Sequence, residues 1–165
     1  CMDMLRKSMD EESEHPHLAA ASHICLFSEL LHGASLSSPA LNLHLEQSIA
    51  TVCQQIQELG LWTLEESQAA KEDEHVLLVR CLLEWVGVIG QALKMRLLDA
   101  DCHVMQLVLM PALEKLADPC PYVQSAAEAT LNTVWHQVIM FDENKKCSYS
   151  RFAHALDLPL FLIWW

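Results

Sequence analysis

The sequence predicts an all-α chain made of antiparallel helix pairs, and three observations predict it. Residues of the hydrophobic class make up 52% of the 165, while the chain holds only four Gly and six Pro. That is too apolar for disorder and too poor in turn formers for a β-rich fold. Apolar positions recur at intervals of three and four in one segment after another, and Gly60 and the stretch Asp118-Pro119-Cys120-Pro121 fall between such segments as helix stops and starts do.

The first helix is expected from Ser13 to Leu31, on the recurrence of Leu18, Ala21, Cys25, Phe27 and Leu31, with Gly33 at its exit. A serine-rich loop leads to Pro39, whose fixed φ suits a first helical position, with Ser38 as N-cap. The second helix carries the stripe Leu41, Leu45, Ile49, Val52/Cys53, Ile56 and Leu59 and stops at Gly60. Thr63 and Glu66 then have the spacing of a capping box. After Lys71-Glu72-Asp73-Glu74 a third helix runs through Leu78, Cys81/Leu82, Trp85, Ile89 and Leu93. Gly87 and Gly90 each cost it about 1 kcal/mol of helix propensity, so they predict close packing on a neighbouring helix. Asp101 is placed to cap a fourth helix with Val104, Leu107/Val108, Met110, Leu113 and Leu116, perturbed at Pro111. The fifth starts at the Asp118–Pro121 break and turns Val123, Ala126/Ala127, Thr130/Leu131, Val134 and Val138 to one side.

A net charge of −12 argues against nucleic acid as a direct partner, because phosphate contacts draw on Lys and Arg, of which there are only ten. The seven Cys stand singly at positions 1, 25, 53, 81, 102, 120 and 147, without a CxxC pair. With no export segment at the start, this fits reduced, buried thiols in a cytoplasmic or nuclear protein. The chain begins on Cys1, and it reads as a piece of a longer one: a flexible acidic segment 1–14, helical repeats over 15–157, and an apolar end 158–165, incomplete or non-native. That apolar end is much shorter than the roughly 20 residues of a spanning helix, so no membrane is expected.

The stretch from Leu109 to Leu131 resembles a HEAT repeat, carried by Pro111, Leu113, Asp118, Pro119, Val123, Ala127 and Leu131. In that motif Pro bends the first helix, Asp caps the second, and Ala lets helices approach closely. Gln124 departs from it, standing where many HEAT repeats carry Arg. The resemblance implies an α-solenoid of the HEAT/armadillo-like kind. With Glu84-Trp85-Val86-Gly87-Val88-Ile89-Gly90-Gln91-Ala92-Leu93, Met110-Pro111-Ala112-Leu113-Glu114-Lys115, the connector Leu59-Gly60-Leu61-Trp62-Thr63-Leu64 and Cys147-Ser148-Tyr149 added, residues 45–156 resemble the family of Tel-two-interacting protein one. Trp85 and Ser148 replace family glycines, and 138–146 reads as an insertion. The family is the HEAT-repeat scaffold of the triple-T co-chaperone complex. The resemblance implies a non-enzymatic role with the other two triple-T subunits, stabilising phosphatidylinositol-3-kinase-related kinases in cytoplasm and nucleus, with no catalytic, cofactor or metal residues to carry over. The alternatives are an unrelated HEAT or armadillo adaptor, such as a transport or phosphatase scaffold, and a small helical enzyme using His and Asp.

Other clusters read more plainly. Glu14, His15, His17 and His23 lack a closed ligand set and read as a solvated helix start. Asp101, Cys102 and His103 are adjacent on a helix and point apart, so they form no relay. Trp135 is expected to be partly buried beside His136, and Lys145-Lys146 is too short for a nuclear signal. The acids at 10–12 and 72–74 read as solvated faces. Nine His scattered over separate helices favour the scaffold over the enzyme.

Overall fold

The computed structural model describes residues 5–7, 15–35, 42–64, 72–93 and 103–138. Among these the chain is all-α: α1 (Pro16–Ser35), α2 (Asn42–Glu58), α3 (Glu72–Leu93), α4 (His103–Glu114) ending in a 3-10 turn (Lys115–Ala117), and α5 (Pro121–Val138), with no strand. Within the N-terminal stretch expected to be flexible, residues 5–7 are helical and Leu5 is fully buried in the core.

Helix α3 is the centre of the fold. Its first turn carries Glu72, Asp73 and Glu74, which complement the helix dipole, and beyond it apolar residues face two neighbours at once. Leu78, Val79, Leu82, Leu83, Trp85, Val86 and Ile89 are all buried, between α1 on one side and α5 on the other. Length and composition alone would let α3 cross a membrane, but over half of its apolar window is covered by the protein itself, as in a core helix.

The directions of the helices follow from which residues meet. His15 meets Glu74, His17 meets His75, Cys25 meets Cys81 and Phe27 meets Trp85, so contacts advance together along both chains and α1 runs parallel to α3. Gly87 faces Thr130 and Gly90 faces Val134, which makes α5 parallel to α3 as well. The two remaining helices, α2 and α4, pack on each other. The turns that follow them both reach the N-terminal end of α3, where His75 hydrogen-bonds the Leu61 backbone and feels the charges of Lys115 and Asp118. Helices α2 and α4 therefore run against the direction of α3.

Helix α2 ends as its sequence requires. Gly60 takes φ +63°, the left-handed region that side chains resist, its N–H bonds the Gln57 carbonyl at 3.0 Å, and the Leu61 N–H bonds the Ile56 carbonyl at 3.1 Å. This is a Schellman stop, and its hydrophobic clasp joins Leu61 to Ile56, both 2% exposed.

Four local expectations change. Gly33 does not end α1, which continues to Ser35, and Gly33 has no positive φ. Cys25 is exposed, and the inward line of α1 is Ala20, Ala21, Ile24, Phe27 and Leu31. Met110 and Leu116 point outward, while Val108, Leu109 and Ala112 fill the core from α4. Thr63 turns its hydroxyl back to the Gly60 carbonyl at 3.2 Å, closing the turn after α2. The expected caps at Ser38, Glu66 and Asp101, the start at Pro39, and everything beyond Val138 lie outside the described residues.

Candidate functional site

The residues that carry the HEAT resemblance are distributed between a seam and a turn. Val123 and Ala127 are buried, 2% and 0% exposed, and Leu131 packs against the core from the same helix. Pro111 lies inside α4 without breaking it, and Leu113, two residues on, packs against the core. Having no N–H, Pro111 leaves the carbonyl four residues back without its helical donor. The close approach that small residues allow occurs between α5 and α3, where Gly90 lies against Val134, rather than within the α4–α5 pair.

Asp118 organises the turn between α4 and α5. Its Oδ1 accepts the Cys120 N–H at 3.0 Å and its Oδ2 accepts from Lys115 Nζ at 2.9 Å. The N-cap position belongs to Cys120, whose carbonyl accepts the N–H groups of Val123 and Gln124. The expected capping by Asp118 is thus corrected: its carboxylate reaches the turn two residues on, because Pro119 and Pro121 extend the chain between it and the first helical N–H groups. Burial pushes this carboxyl up, but the Lys115 hydrogen bond, the Cys120 N–H and the nearby positive charge outweigh it and hold Asp118 below the ordinary aspartate value. Pro119 is exposed.

This turn forms one wall of a polar corner that sequence reasoning missed. The N-terminal ends of α1 and α3 bring together His15, His17, Glu74 and His75, and the turns after α2 and α4 close over His75. His15 Nδ1 lies 2.7 Å from Glu74 Oε1 at the surface. Behind it, the rings of His17 and His75 meet edge to face with centroids 5.4 Å apart, and they are only 2% and 7% exposed. Burial, then the His17 ring, then Lys115 lower the His75 pKa below its ordinary 6.5, against the pull of the Leu61 backbone and Asp118. His17 Nδ1, His75 Nε2 and Glu74 Oε2 are buried without a protein partner. The pairing could not be read from the sequence, since His17 and His75 become neighbours only through the parallel register of α1 and α3.

Nine His do not all scatter, therefore: three of them converge here. What the corner lacks is access, because the two central rings offer almost no surface to a substrate. Among the described residues no group of three or more His, Cys, Asp or Glu is arranged to hold a metal ion. His23 sits half-buried on α1, and Glu14 and the side chains of Asp101, Cys102 and His103 lie outside the described residues. Trp135 is half-buried, as expected, and His136 is exposed; Glu72 and Asp73 are solvated, whereas Glu74 is engaged by His15.

Apolar side chains reach the surface at Leu26 and Leu30 on α1, at Leu77 on α3, and at Met110, Leu116 and Tyr122 around the α4–α5 turn, where Tyr122 is 77% exposed. Compared with known proteins, the chain matches no protein-family model, no curated protein and no solved structure.

Proposed function

We propose that this chain is a stretch of HEAT-like α-solenoid and acts as a non-enzymatic protein-interaction scaffold, in the manner of the triple-T subunit its sequence resembles. The observation that carries the reading is the alternation of partners: α3 lies between the parallel helices α1 and α5, while α2 pairs with α4 in the opposite direction. Stacked helical hairpins pair in this way, with first helices beside first helices and second beside second. The burial of Val123 and Ala127 supports it, and so does the turn that Asp118 holds between α4 and α5, although Asp118 does not itself cap α5. The burial of His17 and His75 in the His corner lends an enzyme reading no support.

On this reading the partners are the other two triple-T subunits and phosphatidylinositol-3-kinase-related kinases, in cytoplasm and nucleus, with no nucleic acid, membrane, cofactor or small molecule involved. The test is direct binding of the purified chain to those two subunits, against a control with Val123→Asp and Ala127→Asp that destroys the α3–α5 seam. Binding by the helical wild-type chain and none by the control is the expected result. A well-folded chain that binds neither subunit overturns the family reading. Selective binding to transport factors or phosphatase subunits instead would leave the solenoid and replace the partner.

A further inference from the structure

Two cysteines on different helices lie in contact. Cys25 on α1 places its Sγ 3.6 Å from the Sγ of Cys81 on α3, although the two residues are 56 apart in sequence. Their environments are unequal: Cys25 is exposed and Cys81 is buried. Cys81 has Trp85 one turn along α3 and packs into the main core, so its sulfur is held in place while that of Cys25 faces solvent. From this geometry we infer that Cys25 and Cys81 form an oxidation site, at which a peroxide converts the two thiols into a disulfide tying α1 to α3.

The order of steps follows from access. Cys25 reacts first as its thiolate, attacking one oxygen of the peroxide; the O–O bond breaks, an S–O bond forms, and the departing hydroxide or alkoxide takes up a proton. The Cys25 sulfur is now a sulfenic acid, oxidised by two electrons. Cys81 then attacks that sulfur, the S–S bond forms, the S–O bond breaks, and the hydroxyl leaves with the Cys81 proton as water. With hydrogen peroxide the sum is two thiols and one peroxide giving one disulfide and two waters. Burial, the hydrogen bond with Cys25 and the nearby charges of Cys25 and Glu84 push the Cys81 thiol up to about 12, which keeps it from being the first to react. Closing the bond requires the sulfurs to approach from 3.6 Å to about 2.05 Å, a movement within reach of side-chain rotation and a small shift between two packed helices.

The test uses the full 165-residue chain treated with a small excess of hydrogen peroxide, alkylated, digested without reductant and mapped by mass spectrometry. The expected result is a linked peptide pair containing Cys25 and Cys81, about 2 Da lighter than the sum of the reduced peptides, reversed by a dithiol and absent from Cys25→Ser and Cys81→Ser. Cys81→Ser should leave a Cys25 sulfenic acid that dimedone captures, and the oxidised wild-type chain should melt at a higher temperature than the reduced one. The wild-type peptide map decides the matter even if a variant fails to fold. Cys25 trapped by dimedone or carried to sulfinic acid while Cys81 stays alkylated, or disulfides to other cysteines in equal yield, would overturn the assignment.

Discussion

Replacing Gly90 with alanine probes the α3–α5 seam at its tightest point. A Cβ built there would lie 2.9 Å from Val134 Cγ2 and 3.5 Å from both Cβ and Cγ1 of the same residue. Carbon atoms rest at about 3.5–4.0 Å, so the nearest contact is deep in the repulsive range. Val134 has little freedom to yield: a β-branched side chain in a helix has one strongly preferred rotamer, and turning it would bring the other methyl toward the same place. Alanine gains about 1 kcal/mol of helix propensity over glycine, and overpacking a close-fitting core costs about 1–3 kcal/mol. Gly90→Ala should therefore be neutral to destabilising by about 2 kcal/mol. Gly87 supplies the control, since its added Cβ would meet Thr130 Cγ2 at 4.0 Å, an ordinary contact. Gly87→Ala should be stabilising by about 0.5–1 kcal/mol. Truncating the buried Val134 to alanine should itself be destabilising, yet less so when Gly90 has already become alanine, and this coupling should exceed about 1 kcal/mol. Urea unfolding followed by far-ultraviolet circular dichroism gives all four free energies. If both alanine variants stabilise alike, or if Gly90→Ala and Val134→Ala simply add, the seam is not tight and the reasoning fails.

Three further outcomes follow from the turns and the polar corner. Gly60→Ala forces a Cβ into a left-handed conformation at φ +63° and should cost about 1–2 kcal/mol, read by urea unfolding; an unchanged midpoint would remove the Schellman stop from the account. Asp118→Ala loses the acceptor for both the Cys120 N–H and Lys115 Nζ, and should cost about 1–3 kcal/mol, with Asp118→Asn milder because it keeps a turn acceptor; equal losses would mean the turn bond contributes little. Because His75 is lowered below 6.5 in the fold, the unfolded chain binds the proton more readily, so this contribution is intact above pH 6.5 and is lost as pH falls below it. Asp118 acts in a second, lower window, its contribution present above about 3.8 and lost in more acid solution. Melting temperatures between pH 7.5 and 5 should fall in the wild-type chain and flatten in His75→Gln, and parallel slopes would refute the assignment.

Much of the fold was legible because the signals were local. The stripes of α2 and α3, the stop at Gly60 and the break before α5 each depend on residues within one or two turns, and Gly90 announced a close neighbour by its own cost, whereas Gly87, expected to do the same, has ordinary room against Thr130. What was not legible depended on register between helices. Whether Cys25 faces the core or solvent turns on about a quarter-turn of α1, and a stripe of apolar residues does not fix an angle that finely. Met110 and Leu116 are as apolar as Leu109, and only the position of α3 and α5 beside α4 decides which of them is covered. The polar corner was hidden for the same reason, because its members come from four stretches of chain and carry no common spacing.

The parallel register of α1, α3 and α5 also divides α3 into regions held by different forces. At its N-terminal end His75 lies among charges, a second imidazole and two backbone turns, so protons act there; around Gly87 and Gly90 the contacts are with methyl groups, so volume acts there. A helix rise of 1.5 Å per residue sets positions 75 and 90 about 22 Å apart, and perturbations separated by more than about 10 Å with no shared partner usually add. The variant carrying both His75→Gln and Gly90→Ala should then lose the sum of the two single losses at pH 5 and at pH 7.5, to within about 0.5 kcal/mol. A larger deviation at acid pH alone would mean that protonation of the corner moves α3 as a rigid rod against α5. The seam would then sense the charge state of a residue it does not touch, and the two regions would have to be treated as one cooperative element.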